Sequence, residues 1–413
     1  MEEVLIRKIR KFASVHPNMS CKGGLIMKTL KYILVFVVLF AITHTVFAKY
    51  SGGSGTPSSP YIINSPGDLL ALAADTNDYT KYFRQTSNIN LLGTTRTTAL
   101  IAPDTDNATD GFQGTQFMGT YDGNGYQIQN FAINTIGGNQ DFLGLFGFIG
   151  NNAVVKNVNL VNCNIVGGTS SDYCGGLFGQ NSNCSIIECQ VSGAVSGRNY
   201  IGGLCGYNTI TISGCYSTAN AQGYDDVGSL CGYNSGTITK SSAIGSATGH
   251  DNVGGLCGYH YYGGTISICH ASGQASGNNQ IGGLVGYLNQ GSITESYAGG
   301  PVFGASNVGG FAGYNYGGSI SDSYALGDVQ ATGDSVGGFV GQQTYASVNR
   351  SYARGQVSGN NYVGGFVGGN NQSSFYDSYS TGSAVGSSAV GGFCGSNSSG
   401  LISNCFWDKD TSL

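Results

Sequence analysis

The chain has 413 residues, of which 70 are Gly and only 9% are charged, and its glycines lack the three-residue period that a collagen helix requires. Hydrophobic residues make up 40% of the sequence, which excludes a disordered polar tail. Residues 50–413 carry nine Lys and Arg against twenty Asp and Glu. Nucleic-acid binding is therefore disfavoured, because a run of phosphates needs clustered cations. The scarcity of ionisable side chains also disfavours most enzyme classes.

The first predicted element is a secretory signal peptide at residues 27–48. A basic start at Met27–Lys31 is followed by an apolar run from Tyr32 to Ile42 and a small-residue cleavage site, Val46-Phe47-Ala48. The apolar run is shorter than the ~20 residues that a spanning helix needs, which favours cleavage over a membrane anchor. Residues 1–26 are expected to lie upstream of the true start at Met27. The sequence thus predicts a secreted or cell-surface protein with no membrane span after signal cleavage.

Residues 49–134 are predicted to form a cap over the N-terminal end of the repeats that follow, because an open sheet end exposes unpaired strand edges. Ser65 is a candidate N-cap, with Pro66 at the first helical position and Asp68 at the third, which predicts a short helix over 66–75. Asp122-Gly123-Asn124-Gly125 predicts a tight hairpin turn.

Residues 135–413 repeat the pattern apolar-Gly-Gly-apolar-x-Gly. The second glycine, or its equivalent, falls at positions 176, 203, 229, 255, 283, 310, 338, 365 and 392, so successive units are 26 to 28 residues long. Each unit continues with an Asn- and Gly-rich turn, an Ile-x-x-Ser/Cys-aromatic-Ala segment and a short third segment. Short β-rich runs between such turns, without a helical period, predict strands.

A unit of about 27 residues cannot bury its own apolar face and needs its neighbours. The predicted fold class is therefore all-β: a parallel β-solenoid of about nine to ten coils, with crossovers expected to be right-handed. A β-propeller is the alternative, but its blades usually need about 40 residues or more.

These units resemble the GLUG motif, a Gly-Leu-x-Gly repeat of bacterial secreted and surface proteins, and the resemblance covers about residues 135–413. The preceding segment, from Tyr50-Ser51-Gly52-Gly53 to Gly119-Thr120-Tyr121-Asp122, is similar to the N-terminal part of such proteins. The resemblance implies a surface role, mostly adhesin-like. Some GLUG-bearing proteins are zinc peptidases, but their His-Glu-x-x-His motif is absent from this sequence, so that activity is not carried over. Residues 405–412 resemble the usual end of a GLUG block, which leaves two alternatives: a truncated gene, or a last coil that caps itself with Trp407.

Cysteines concentrate in two columns of the repeat. The Gly-Leu-x-Gly column holds Cys205, Cys231, Cys257 and Cys394, and the second-strand column holds Cys189, Cys215, Cys269 and Cys405. Exchange with Val, Ala and Ser in other units indicates small buried residues. Three units have Cys in both columns, which instead predicts disulfides in an oxidising compartment. The possible pairs are Cys205/Cys215, Cys257/Cys269 and Cys394/Cys405.

One coil contains a conceivable metal set, Cys257, His260, Cys269 and His270. The first pair has the two-residue spacing of many zinc sites, but the second pair is adjacent, and neighbours on a strand point to opposite faces. No other unit repeats the set. The sequence therefore predicts no metal and no other cofactor.

Aromatic residues form two further columns. The first contains Tyr207, Tyr233, Tyr259, Tyr287 and Tyr314, and the second contains Tyr216, His270, Tyr297, Tyr324, Tyr352, Tyr379 and Phe406. Stacked coils would turn each column into a stripe. Such stripes suit sugar rings or protein partners, or they stabilise the solenoid by stacking on themselves.

One pair of carboxylates tests the enzyme alternative. Adjacent coils would bring Glu295 and Asp322 to about 5 Å, near the spacing of retaining glycosidases, but Arg350 follows in the same column, so a solvated charge ladder is the simpler interpretation. The predicted function is an adhesin-like binding module or structural scaffold, not an enzyme, with an extracellular polysaccharide or a surface protein as partner. The alternative is a polysaccharide lyase or glycoside hydrolase built on a β-helix.

Overall fold

The structure, a computed structural model, describes residues 48–135 and 137–410. The chain divides into two units, Met1–Lys49 and Tyr50–Leu413, and every described strand lies in the second. The predicted signal peptide falls almost entirely outside the described residues. Within the described part of the chain, no helix has the length and hydropathy to cross a membrane.

The second unit is a parallel β-solenoid, as predicted. Each full coil passes through four sheets in the same order, shown by Asn199–Gly202, Cys205–Asn208, Thr211–Ser213, and the pair Tyr216–Ser217 and Asn220–Gln222. Each strand pairs in parallel with the equivalent strand of the next coil, as Cys205 does with Cys231 and then Cys257. We name the four sheets, in this order, the glycine sheet, the first tyrosine sheet, the hydroxyl sheet and the second tyrosine sheet.

The strands of the four sheets have the following bounds. The glycine sheet contains Cys174–Gly175, Asn199–Gly202, Asp225–Gly228, Asp251–Gly254, Asn279–Gly282, Ser306–Gly309, Val336–Gly337, Asn361–Gly364 and Ser388–Gly391. The first tyrosine sheet contains Phe146–Gly150, Phe178–Ser182, Cys205–Asn208, Cys231–Asn234, Cys257–His260, Val285–Asn289, Ala312–Tyr316, Val340–Thr344, Val367–Asn371 and Cys394–Ser398. The hydroxyl sheet contains Tyr61–Ile63, Tyr82–Gln85, Thr120–Asp122, Val154–Lys156, Ser185–Ile187, Thr211–Ser213, Thr237–Thr239, Thr265–Ser267, Ser292–Thr294, Ser319–Ser321, Ser347–Asn349, Ser374–Tyr376 and Leu401–Ser403. The second tyrosine sheet contains Ile89–Asn90, Thr95–Arg96, Gln127–Gln129, Ala132–Asn134, Asn159–Val166, Gln190–Ser196, Tyr216–Ser217, Asn220–Gln222, Ser242–Ala243, Ala247–Thr248, His270–Ala271, Ala275–Ser276, Tyr297–Ala298, Val302–Gly304, Tyr324–Ala325, Val329–Ala331, Tyr352–Ala353, Val357–Ser358, Tyr379–Ser380, Ala384–Val385 and Phe406–Trp407.

Residues 50–134 contain the predicted helix and also the first strands of the stack. Helix α1 spans Pro66–Ala74, and a single 3-10 turn follows at Thr76–Asp78. The Ser65 hydroxyl accepts the Asp68 backbone N–H at 3.2 Å, as the N-cap prediction required. Three strands of this region join the hydroxyl sheet and four join the second tyrosine sheet. The parallel ladders therefore begin inside the region predicted to be a cap.

The predicted hairpin at Asp122–Gly125 is wrong. Strands Thr120–Asp122 and Gln127–Gln129 lie in different sheets and pair only in parallel, with other strands. Positive φ at Asn124 (52°) and Gly125 (78°) makes the tight turn that the sequence indicates. A tight left-handed turn can connect the two strands of a hairpin or two strands in different sheets of a solenoid. Here the flanking strands pair with neighbouring coils, so the turn forms a corner.

Glycine is required where the glycine sheet approaches the first tyrosine sheet. A Cβ on Gly337 would lie 2.0 Å from the Val340 carbonyl oxygen, and one on Gly228 would lie 2.2 Å from the Cys231 carbonyl oxygen. Both obstacles are backbone atoms of the same coil, so no side-chain movement relieves them. This close approach explains why the first glycine of the motif is present in all nine units.

The interior is filled by stacked columns of like residues. One interior position is leucine in the earlier coils and phenylalanine in the later ones, and it is fully buried in both: Leu204, Leu230 and Leu256, then Phe311, Phe339 and Phe366. The phenylalanine rings stack at 4.6–4.8 Å with planes within 18°. The core is therefore continuous from coil to coil, as nearest-neighbour stacking in a solenoid requires.

A ladder of buried polar side chains follows the corner between the first tyrosine sheet and the hydroxyl sheet. The Asn181 amide donates to Asn208 at 2.7 Å, Asn208 donates to Asn234, and the Asn234 amide nitrogen lies 3.0 Å from His260 Nδ1. Leu288 interrupts the ladder in the next coil. Burial lowers the pKa of His260 to about 4, so this imidazole is neutral at neutral pH.

Candidate functional site

The first tyrosine stripe, Tyr207, Tyr233, Tyr259, Tyr287 and Tyr314, lies on the outer side of the first tyrosine sheet. Tyr207 and Tyr233 stack at 4.5 Å with their planes within 3°, and Tyr233 stacks on Tyr259 at 5.1 Å. The stack breaks at Tyr259 and Tyr287, which meet at 78°. Burial raises the pKa of Tyr287 to about 12, so its hydroxyl stays protonated at neutral pH.

The second tyrosine stripe is straighter. His270, Tyr297, Tyr324, Tyr352 and Tyr379 stack in successive coils at 4.8–5.2 Å with planes within 9° of one another. All five are partly exposed on the outer side of the second tyrosine sheet. The Arg354 guanidinium carbon lies 5.1 Å from the centre of the Tyr352 ring, a cation–π distance.

This stacking limits what the stripes can bind. Each inner ring of the second stripe has both faces covered by its neighbours, so ring edges and phenolic hydroxyls are the parts left for a partner. A sugar ring that stacks on an aromatic face would find such a face only at a break or an end of a stripe. The geometry therefore favours hydrogen bonding along the stripes over face-on stacking.

The two cysteine columns face inward. Cys205, Cys231 and Cys257 are fully buried and stacked in register, and each thiol donates to the carbonyl oxygen two residues ahead at 3.1–3.3 Å. In the second column, Ser and Cys can exchange because either side chain donates to the carbonyl oxygen two residues before it. Ser296 Oγ donates to the Thr294 carbonyl oxygen and accepts the Cys269 backbone N–H. Cys269 Sγ donates in the same way to the Ser267 carbonyl oxygen.

All eleven cysteines between residues 163 and 405 are free thiols in this structure. The pairs Cys205/Cys215, Cys257/Cys269 and Cys394/Cys405 are thus not formed in it. Burial raises the pKa of Cys269 and of Cys394 to about 11, which keeps these thiols protonated and unreactive. Disulfide pairing stays a prediction, and titration of free thiols in the unfolded protein tests it.

The four residues of the conceivable metal set do not gather. Cys257, His260 and Cys269 are buried, whereas His270 is partly exposed and stacks on Tyr297. Within residues 48–135 and 137–410, a different trio brings its ligand atoms within 4.8 Å of one another: Asp225, His250 and Asp251. Asp225 and Asp251 stand in register in adjacent coils, and His250 directly precedes Asp251. The trio was not predicted because the histidine occurs in only one of the two coils.

The carboxylates tested as a catalytic pair lie at an exposed corner. Glu295, Asp322 and Arg350 all have φ between 45° and 53°, the left-handed region. Arg350 Nε lies 2.6 Å from one Asp322 oxygen and its Nη2 lies 2.7 Å from the other. This guanidinium lowers the pKa of Asp322, which suits an ion pair better than a general acid. The geometry therefore favours the solvated charge ladder.

Comparisons with known proteins agree with the repeat. The profile of the GLUG motif matches residues 197–222 and 304–330, so the predicted resemblance is confirmed and the chain carries GLUG motifs.

Two relatives share part of the sequence. A protein of Evansella cellulosilytica, provisionally named a Gly-rich membrane protein, is 32% identical over 155 residues, which is 36% of this chain and 17% of that protein. Halomucin of Haloquadratum walsbyi is 33% identical over 121 residues, 28% of this chain and 1% of halomucin. The chain thus spans a small fraction of the length of the curated relatives it matches.

One solved structure is similar. It is a crystal structure from Bacteroides ovatus described provisionally as an immunoglobulin A1 protease, with a TM-score of 0.44, 18% identity, and coverage of 69% of this chain and 80% of that one.

Proposed function

We propose that this chain is a secreted or cell-surface protein whose solenoid binds an extracellular polysaccharide or a surface protein along its sides. The observation that carries the proposal is the pair of tyrosine stripes, which place partly exposed phenol groups at a repeat of about 5 Å over four or five coils. The names of the two relatives, a Gly-rich membrane protein and halomucin, support a surface location.

The stripes favour binding over catalysis. A catalytic pair needs two carboxylates whose environments separate their pKa values, whereas Asp322 is held as an ion by Arg350. Regular rows of hydroxyls can instead contact a long partner at many points, each weak, and multivalent contact raises the overall affinity. We therefore expect retention of a polymer or of a partner surface without chemical change to it.

The test is to incubate the full chain with a panel of polysaccharides and of bacterial cell surfaces. Retention and new reducing or unsaturated ends are both scored. Retention without products supports a binding role, and product formation favours the alternative of a lyase or hydrolase. Absence of both retention and products contradicts the binding proposal.

A double variant tests the second tyrosine stripe as the contact surface. Tyr324→Phe combined with Tyr352→Phe removes only the two hydroxyls and keeps the stacked rings, so the fold is expected to survive. The matched control is Tyr82→Phe, because Tyr82 is 36% exposed and lies away from both stripes. If the double variant binds as well as the control, the second stripe is not a contact surface.

A further inference from the structure

A groove runs along the corner between the first tyrosine sheet and the hydroxyl sheet. It spans five coils, from Gly263 to Ser374, is open to solvent along its length, and has a volume of about 450 Å³. Four coil spacings make it about 19 Å long. We name it the corner groove.

The walls of the corner groove are polar and uncharged. Four serines form one wall: Ser292, Ser319, Ser347 and Ser374. The other wall holds Gln290, Tyr345 and Gln372, each in the left-handed region with φ of 48–56°. Apart from the tyrosine, no ionisable side chain lines the groove. The nearest charged column, Glu295 to Asp377, lies at the opposite edge of the hydroxyl sheet.

Glycines form the floor of the groove, directly above buried polar side chains. A Cβ on Gly291 would lie 2.8 Å from His260 Nε2, one on Gly318 would lie 2.5 Å from Asn315 Oδ1, and one on Gly264 would lie 2.5 Å from His260 Cε1. The buried side chains of His260 and Asn315 therefore require glycine at these three floor positions. His260 is fully buried, and its Nε2 has no hydrogen-bond partner among the described residues.

The polar groups of the walls are available for a ligand. Within the described part of the chain, neither the four serine hydroxyls nor the side-chain amides of Gln290 and Gln372 make a side-chain hydrogen bond. In the two preceding coils the equivalent hydroxyls form one pair, in which Thr265 Oγ1 donates to Thr237 Oγ1 at 3.1 Å. The run of wall serines begins in the coil after this pair.

Tyr345 supplies an aromatic face that the stripes lack. Its side chain is 58% exposed, and it meets Tyr316 nearly edge-on, at 83° and 6.0 Å. Among the described residues, no parallel ring covers it. At the other end of the groove, beside Gly263, Tyr262 is 65% exposed. Exposed aromatic faces beside hydroxyl and amide groups suit the apolar and polar sides of a sugar ring.

The backbone argues against a peptide in the corner groove. A peptide that adds to a sheet needs an edge with unpaired N–H and C=O groups. Here the wall residues are already paired between coils: the Gln290 N–H donates to the Tyr316 carbonyl at 2.8 Å, and the Tyr345 N–H donates to the Asn371 carbonyl at 3.1 Å. The partner is therefore recognised through side-chain hydroxyls, amides and aromatic faces.

We infer that the corner groove binds a neutral, unbranched polysaccharide, laid parallel to the solenoid axis with successive sugars over successive coils. The inference rests on the proposed function and narrows it to one ligand class and one site. Without charged walls, the groove offers no attraction to an acidic polymer. Its wall serines recur once per coil along a single line, which matches a linear chain of repeated units.

The test compares two serines on one strand. Ser319→Glu places a charge in the groove, and Ser321→Glu is the matched control, because Ser321 faces outward from the same strand without lining the groove. Binding of the full chain to a neutral linear β-glucan and β-mannan, and to anionic alginate, is measured by affinity electrophoresis. We expect Ser319→Glu and Tyr345→Ala each to weaken neutral-polymer binding about tenfold or more, which corresponds to about 1.4 kcal/mol, with Ser321→Glu unchanged.

The possible failures are distinguishable. Neutral-polymer binding that survives Ser319→Glu and Tyr345→Ala but is lost in the stripe variants overturns the groove and leaves the proposed function standing. Binding to alginate alone overturns the neutral ligand class. Absence of binding to any polysaccharide or cell surface contradicts the proposed function itself. Circular dichroism of each variant confirms that loss of binding is not loss of fold.

Discussion

Two stretches of the solenoid share one backbone frame and fill it differently. The short-coil stretch, residues 203–254, is built of coils of 26 residues, and the long-coil stretch, residues 283–392, is built of coils of 27 or 28. In the short coils, strands Cys205–Asn208 and Cys231–Asn234 are followed by a tight corner. In the long coils the same corner has one residue more, in the left-handed region, as at Gln290 and Tyr345.

The interior also changes along the stack. The short coils enclose Leu204 and Leu230 beside the thiols of Cys205 and Cys231, whereas later long coils enclose Phe339 and Phe366 beside Val340 and Val367. Leu284 keeps leucine in the first long coil, so core volume does not follow corner length coil by coil. The comparison teaches that glycine and backbone pairing define the coil, whereas corner length and core volume both vary within it.

The largest expected effect should be common to both stretches. Gly228→Ala and Gly337→Ala each place a Cβ within 2.2 Å of a carbonyl oxygen of the same coil. We expect each substitution to cost more than about 4 kcal/mol, the range of exceptional destabilisation, and to unfold its own coil. Hydrogen exchange resolved by peptide measures this. A large loss of protection in only one of the two variants would contradict a shared frame.

The next largest effect is a pH dependence of stability, which we expect from the short-coil stretch. Burial raises the pKa of Asp226 to about 7, and the Asn252 amide donates to its carboxyl at 2.8 Å. The folded state therefore holds a proton that the unfolded state releases near pH 4, so stability falls as pH rises from about 4 to about 7 and is level above that. The equivalent positions in the long coils hold Asn307, Ser335, Tyr362 and Ala389, none of which is a carboxylic acid.

Asp226→Asn should remove this dependence. At pH 8 we expect the variant to be more stable by up to a few kcal/mol, because about three pKa units of difference are worth about 4 kcal/mol. At pH 4 it should match the native chain. Urea unfolding at both pH values measures this, with Asp225→Asn as the control on a more exposed carboxyl. Equal effects of Asp226→Asn at pH 4 and pH 8 would mean that Asp226 is ionised in the fold.

A swap tests whether a short corner limits the volume of the core side chain. Leu230→Phe overfills a short coil and should cost about 1–3 kcal/mol. Phe339→Leu leaves a void in a long coil, opens a gap in the phenylalanine stack and should cost about 1–2 kcal/mol. Chemical unfolding of both variants measures the two costs. If Leu230→Phe is neutral, the short coils have spare volume and corner length does not limit the core.

Much of this architecture is predictable from the sequence because the repeat is regular. The glycine positions predict the coils, and Ser65, Pro66 and Asp68 predict helix α1. The inward or outward orientation of the tyrosine and cysteine columns is not predictable, because left-handed residues such as Glu295 and Gln290 break the alternation at each corner.

Two features were missed for the same reason. The strands at Tyr61–Ile63 and Tyr82–Gln85 belong to the stack, but irregular insertions separate them and hide the period. The corner groove depends on a single added residue per coil, which changes the spacing by only one. Both features depend on which strands become neighbours, and local pattern does not specify that.

The smallest expected effect extends the second tyrosine stripe into the short coils. Ser242 stands in register between Tyr216 and His270, so it is the one position that separates Tyr216 from the stacked rings. Ser242→Tyr would place a ring against both neighbours and should stabilise the chain by about 0.5–1.5 kcal/mol beyond simple burial. Ser242→Leu is the control, because it adds apolar bulk without a ring. Thermal unfolding compares the two. If Ser242→Leu stabilises as much as Ser242→Tyr, the stripe contributes through buried area alone, and the parallel stacking of its rings adds no further stability.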